Sequence, residues 1–325
     1  MMDKAIRDFP KQFAYEPVVE NGEGLGIARR ALILGMGGSN LAPELLKQVG
    51  SDSTLTMHRD YGLPAIQSSD ADETLFIACS YSGNTEETID GFKEAHERGF
   101  RVAAIATGGV LLDLAREYRV PYVRLPDTGI QPRMALGLSL KALLALLGRT
   151  KECADLSQLA QTLDVAAAEQ EGKVLAEKLR GKIPVVYASA HHSALARIWK
   201  IKFNETGKIP AFWNVVPELN HNEMTGFDVV PATRMLSERF HFILLTDGSD
   251  HPRVVKRLKR ISVLKEVYKK RGLPVEEIML EGTDPWERIF RVVLIGDWVA
   301  YYLALFYGVD PEAVPMVEEF KKMMA

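Results

Sequence analysis

Along the first half of the chain, short runs of apolar, β-rich residues alternate with stretches in which apolar positions recur every three to four residues. Ala31–Gly35 precedes such a helical stretch at Asn40–Val49, Thr74–Cys79 precedes Glu86–Arg98, and Arg101–Thr107 precedes Leu111–Tyr118. Tyr122–Leu125 leads through Pro126–Pro132 into Arg133–Leu147. A switch of period from two to 3.6, repeated with Gly, Ser and Asn at the joints, predicts a parallel sheet with helices on both faces.

A charged, Ala-rich segment follows at Lys151–Arg180 with no strand signal, and it reads as one long connecting helix in which Gly172 is a candidate break. The alternation then restarts, with strands expected at Pro184–Ser189, Ile209–Val215, His241–Asp247 and Val275–Glu281. Helices are expected at Ser193–Thr206, Arg253–Arg271, Asp284–Tyr307 and Glu312–Met324, the last opened by Asp310-Pro311 in N-cap and N1 order. The expected architecture is therefore two tandem α/β/α domains with mostly parallel, flavodoxin-like sheets, residues 1–150 and 151–325. The apolar run Val292–Val309 is interrupted by Asp297 and falls short of the roughly 20 residues that a span needs, so a buried helix is expected there.

Length agrees with this division, since 325 residues exceed one comfortable core. Forty basic against 43 acidic residues give a net charge of −3. That balance provides no field for nucleic acid or an anionic membrane, so any anion site must be local. The start of the chain, with Asp3, Lys4, Arg7, Asp8 and Pro10, holds no apolar leader. With only Cys79 and Cys153 present, two buried thiols in a reducing, cytoplasmic setting are expected rather than a disulfide.

Two loops at expected strand ends could hold an anion: Gly35-Met36-Gly37-Gly38-Ser39-Asn40 and Ser80-Tyr81-Ser82-Gly83-Asn84-Thr85. Ligands of open parallel sheets sit beyond the carboxyl ends of the strands, and helix N-termini offer free N–H groups and a positive dipole end. Ser80, Ser82 and Thr85 add hydroxyls without charge. Taken singly, each loop is equally well read as a tight turn with a helix cap. Asn40 stands where a dinucleotide fingerprint needs its third glycine, and no nucleoside-triphosphate loop motif occurs. Together, Gly37-Gly38-Ser39 and Ser80–Thr85 resemble the phosphate-binding set of SIS (sugar isomerase) domains. The resemblance implies that Ser80, Ser82 and Thr85 bind a sugar's phosphate and that Gly37, Gly38 and Ser39 lie against the sugar.

Moving a proton between the C1 and C2 carbons of an aldose or ketose phosphate needs a base within reach of both, and a fixed positive group for the enediolate between them. Glu205, in Asn204-Glu205-Thr206-Gly207, is the candidate base. It is expected in the last turn of a helix, where a carboxylate meets the negative end of the macrodipole, and broken local rules cluster at functional sites. The alternative is a solvated glutamate at a fraying end. His221, bracketed by Asn220, Asn222 and Glu223, can have its tautomer set by its neighbours; it reads equally as part of a polar turn, and His191-His192 is the rival pair. Arg133, after Gln131-Pro132, opens a helix with a permanently charged guanidinium. Lys321 alone reads as a solvated charge. No His/Glu ligand spacing is visible, and neither a metal nor a cofactor is assigned.

These segments, Ser80–Thr85, Gln131-Pro132-Arg133, Asn204-Glu205 and Leu219-Asn220-His221-Asn222-Glu223, resemble the bifunctional phosphoglucose/phosphomannose isomerases over nearly the whole chain. The resemblance implies glucose 6-phosphate and mannose 6-phosphate as the aldoses and fructose 6-phosphate as the ketose. Glu205 would be the proton-transfer base and Arg133 the enediolate stabiliser, with His221 and Lys321 assisting ring opening. It further implies a homodimer in which His221 serves the neighbouring subunit. The chain departs from the family at Val314, where a threonine associated with the mannose epimer falls. Two other readings stay open: a non-catalytic sugar-phosphate sensor, which would not need Glu205, Arg133 and His221 together, and an isomerase of another sugar phosphate.

Overall fold

The computed structural model describes residues 2–25, 28–50, 53–255 and 259–324. Its chain divides into two units, Arg7–Thr162 and a second one from Leu163 onward that also takes in residues 2–6.

In the first unit six strands form one sheet: β1 (Val19–Glu20), β2 (Arg30–Gly35), β3 (Leu55–His58), β4 (Thr74–Cys79), β5 (Arg101–Ala106) and β6 (Tyr122–Arg124). Their order is β1-β6-β5-β4-β2-β3, parallel except for β1 against β6. The central strands β2, β4 and β5 are apolar on both faces because helices cover both, and their residues are buried almost throughout. Phe76, Ala78, Phe92, Val102, Ala104 and Leu111 form part of one core cluster on this sheet. Lys141, with no exposure, is held there by the Phe13 carbonyl at 2.9 Å, Glu16 at 3.0 Å and Ser157 at 2.8 Å.

The second unit holds four parallel strands, β7 (Ile183–Ser189), β8 (Phe212–Val216), β9 (Phe240–Thr246) and β10 (Val275–Met279), in the order β10-β9-β7-β8. The two-sheet, mostly parallel α/β architecture agrees with the pattern of the sequence. In both sheets the chain steps to one side and then returns to the other: β2 lies between β3 and β4, and β7 between β8 and β9. Each return creates a switch point, the place where such sheets bind ligands.

The helix Pro285–Tyr307 is long and apolar enough to cross a membrane by length and composition, but 72% of its most apolar window is buried inside the protein. It is the core helix of the second unit. Asp284 caps it by accepting from the Trp286 and Glu287 amides. Trp199 on the neighbouring helix Ser193–Glu205 donates to the Val292 carbonyl at 3.0 Å, and Lys202 pairs with Asp297, both almost fully buried.

Several expectations are corrected. The segment Lys151–Arg180 is not one helix but three, Thr150–Ser157, Leu159–Thr162 and Val165–Leu179, and the break falls before Asp164, whose side chain caps the third by accepting from the Ala167 amide. Gly172 breaks nothing; it lies inside the third helix, where a Cβ would sit 2.5 Å from the Trp298 Cβ. The final helix starts at Pro315 rather than beside Pro311, and Asp310 only closes a turn by accepting from the Glu312 amide at 2.8 Å. Arg253–Arg271 is not continuous: Pro252–Val255 and Arg260–Lys270 are separate helices, and 256–258 lie outside the described residues.

Candidate functional site

The switch point of the first unit lies between the ends of β2 and β4. After β2 the backbone makes a 3-10 turn at Gly37–Asn40 before the helix Leu41–Gly50 begins. Asn40, fully buried, donates its side-chain amide back to the Gly35 carbonyl, so it braces the loop where a dinucleotide fold would have a glycine. Ser39 Oγ accepts from the Tyr81 amide at 3.2 Å and thereby ties the first loop to the second.

The second loop, after β4, is an internally bonded nest. Ser80, buried, accepts through Oγ from the Gly83 amide at 3.1 Å and the Thr85 amide at 3.4 Å, and its hydroxyl lies 2.8 Å from that of Thr85. Ser82 is exposed at the tip, with its Oγ accepting from the Asn84 amide at 3.3 Å. The loop turns at Gly83, whose φ of +74° is left-handed; a Cβ there would lie 1.8 Å from the Gly108 carbonyl. Thr85 is the N-cap of the helix Glu86–Glu97, so first-turn N–H groups open toward the same place. The loop offers neutral donors and a helix terminus, a chemistry suited to a compact anion such as a phosphomonoester.

Arg133 joins this group from another direction. It is buried within the short turn Pro132–Met134, and a Cβ on Gly38 would come within 3.2 Å of the Arg133 amide nitrogen. The first unit therefore gathers Gly37, Gly38, Ser39, Ser80, Ser82, Thr85 and Arg133 beyond the carboxyl ends of β2 and β4.

The second unit carries the other three candidates. Glu205 is the last residue of the helix Ser193–Glu205 and is half-buried. The carbonyl of Lys202, one turn earlier, accepts from both the Thr206 amide at 2.9 Å and the Gly207 amide at 3.1 Å, and Lys208 Nζ donates to the Glu205 carbonyl. The helix end is thus held by its own cap. His221 ends the turn Glu218–His221 and is exposed, as is Lys321 on the helix Pro315–Met324. Val314 precedes that helix and accepts from the Val317 and Glu318 amides.

A group of charges of which the sequence flagged only His192 occupies the second unit's own switch point, at the ends of β7 and β9. His192 Nε2 lies 3.4 Å from Asp247 and 3.7 Å from Asp250; Arg288 Nε lies 3.3 Å from Asp247, and Ser189 donates to Asp250 at 2.6 Å. Burial holds the His192 imidazole below its ordinary pKa, against the pull of Asp250 and Asp247. Asp247, despite burial that would raise it, is held below the usual carboxylate value by Ser249 donors and by Arg288. Two carboxylates now stand at a place equivalent to the anion nest of the first unit, so the two switch points have opposite chemistry. Both cysteines are free and buried, and burial pushes the Cys79 thiol up to about 12. Among the described residues no group of three or more His, Cys, Asp or Glu side chains could hold a metal.

The family described as bacterial phospho-glucose isomerase C-terminal SIS domain matches residues 168–324. A bifunctional phosphoglucose/phosphomannose isomerase of Aquifex aeolicus is 32% identical over 98% of this chain and 97% of its own length. One from Caldicellulosiruptor bescii is also 32% identical, over 100% of this chain and 99% of its own. Among solved structures, the glucosamine-6-phosphate deaminase of Thermotoga maritima superposes with a TM-score of 0.68 over 96% of this chain and 95% of its own, at 14% identity, a likeness of fold alone.

Proposed function

Since the chain belongs to the bifunctional phosphoglucose/phosphomannose isomerase family, we propose that it interconverts glucose 6-phosphate, and mannose 6-phosphate, with fructose 6-phosphate through a cis-enediolate. The observation that carries the reading is the neutral-donor nest Ser80–Thr85 at the first switch point, braced to Ser39 and closed on Gly108. Backbone amides, hydroxyls and a helix N-terminus suit a dianionic monophosphate and leave the sugar end for chemistry.

In this reading His221 and Lys321 move protons during ring opening, one off the anomeric hydroxyl and one onto the ring oxygen. Glu205 then takes the proton from C2 of the open aldose and returns it to C1, while the C2 hydroxyl gives up its proton and the C1 oxygen gains one to complete the ketose. Arg133 balances the negative charge that develops on the enediolate oxygens. None of these steps calls for a metal. The same reading makes the working form a cytoplasmic homodimer, with His221 serving the neighbouring copy.

Three measurements test it. A coupled assay with each aldose phosphate in EDTA should show turnover with both; no turnover with either, or its loss on chelation, refutes the proposal. Glu205→Gln should lower kcat by about 10³-fold or more while fructose 6-phosphate still binds within a few-fold. Equal loss of binding and turnover would make Glu205 structural. An active monomer by light scattering would refute the shared His221.

A further inference from the structure

Glu223 lies two residues beyond His221, and its carboxylate is bound at both oxygens. Oε1 accepts from the Tyr187 hydroxyl and Oε2 from the Asn214 side-chain amide. Tyr187 and Asn214 are partners in register on the adjacent parallel strands β7 and β8, so one carboxylate bridges two strands of the sheet. Both donors are fixed. Asn214 Oδ1 is used by the Val215 amide at 2.8 Å, which leaves its NH2 for Glu223. Burial pushes the Tyr187 hydroxyl far up, so it stays protonated and a donor, and it lies 3.5 Å from the Tyr268 hydroxyl behind it.

The other side of His221 is anchored as well. Leu219, two residues before it, has no exposure and packs in the core cluster with Val216, Phe242 and Leu244. Between the two anchors the backbone is tightly turned, with the Asn220 amide on the Pro217 carbonyl at 3.1 Å and the Asn222 side chain bonded to Glu218 at 2.8 Å. His221 is thus the exposed apex of a loop pinned at both feet, one by apolar packing and one by hydrogen bonds to a carboxylate.

We propose that Glu223 is a positioning residue: by gripping Tyr187 and Asn214 it sets where the His221 imidazole is presented for ring opening. A carboxylate suits this grip because it accepts from two donors at once, whereas a glutamine would turn its own NH2 toward one of them. The inference rests on His221 acting in ring opening, and a double-mutant cycle separates the two claims. Wild type, Glu223→Gln, His221→Ala and the double variant are assayed for kcat and KM with glucose 6-phosphate, and their melting temperatures are recorded. Glu223→Gln should lower kcat about tenfold and leave KM within about twofold, and in the His221→Ala background it should change kcat by less than about twofold. An equal loss in both backgrounds, or no loss in either, overturns the role of Glu223 and leaves His221 standing. A fully active His221→Ala overturns both. Tyr187→Phe keeps the carboxylate and removes one donor; it should repeat the pattern with a loss of about threefold, and it serves if Glu223→Gln does not fold. The cycle reads coupling within one chain, whichever copy's substrate His221 serves.

Discussion

Replacing Gly172 by alanine sets two general effects against each other. In an exposed helix interior the change is favourable by about 1 kcal/mol, because glycine is the poorer helix former. Here the new Cβ would lie 2.5 Å from the Trp298 Cβ, 3.1 Å from the Ile295 carbonyl oxygen and 3.2 Å from the Val299 amide. Two of these three neighbours are backbone of the 23-residue helix Pro285–Tyr307, and the third is the first atom of a fully buried tryptophan. None can swing aside, so the helices Val165–Leu179 and Pro285–Tyr307 must separate. Overpacking of this kind costs about 1–3 kcal/mol, and the rigid neighbours place it at the upper end. The net expectation is a loss of about 1–2 kcal/mol, which lowers the melting temperature of a unit this size by roughly 3–6 °C. Calorimetry on the full chain reads it directly. Gln170→Ala, on the exposed side of the same helix, is the control and should stay within about 0.5 kcal/mol of wild type. A Gly172→Ala protein that melts at or above the wild-type temperature would refute the close helix contact.

Other outcomes follow from the same geometry. Gly83→Ala should open the nest, since its Cβ collides with the Gly108 carbonyl and its φ of +74° disfavours a side chain; affinity for fructose 6-phosphate should drop about tenfold or more by calorimetric titration, and unchanged affinity would remove the nest from phosphate binding. Stability should fall as pH drops below the ordinary histidine value of 6.5, because burial keeps His192 and His241 neutral in the folded chain while the unfolded chain takes up protons. Asp250, Asp247, His191 and Arg288 act on the first of these rings and Glu276, Lys182 and Lys178 on the second. Asp247, with its pKa below 3.8, contributes only at more acid pH. Melting curves between about pH 7.5 and 5.5 should slope less for His241→Leu than for wild type, and an identical slope would refute a buried neutral imidazole there.

How far the sequence could be read depended on which force shaped each element. The strands β2, β4, β5, β7 and β9 were legible because both faces are covered and their runs are largely apolar. The edge strand β3, Leu-Thr-Met-His, buries only Leu55 fully and carries too little apolar signal to stand out. Asp310-Pro311 carried the N-cap and N1 signature, yet the last helix starts at Pro315, which follows a valine, so only tertiary context chooses its start. Gly172 read as a break because a glycine's local preference is visible in a sequence, whereas the tryptophan it makes room for lies 126 residues away in the chain. Buried charges were the least legible. Lys141, Lys202 and Asp297 look like surface residues by type, and their burial depends on partners from other elements. In the site, the hydroxyl motif and its place after a strand were readable, but the bonding of Ser80 inside the loop was not. Nor was the grip of Tyr187 and Asn214 on Glu223, which joins residues 36 and nine positions apart.

Residues 2–6 group with the second unit, although 156 residues of the first unit, Arg7–Thr162, separate them from the rest of it in sequence. Met2 and Ile6 are buried. During synthesis residues 2–6 are made before the first unit and wait, through the whole of it, for the rest of their own unit. A change within residues 2–6 is therefore felt in the unit whose remaining residues are made only after the first unit is complete.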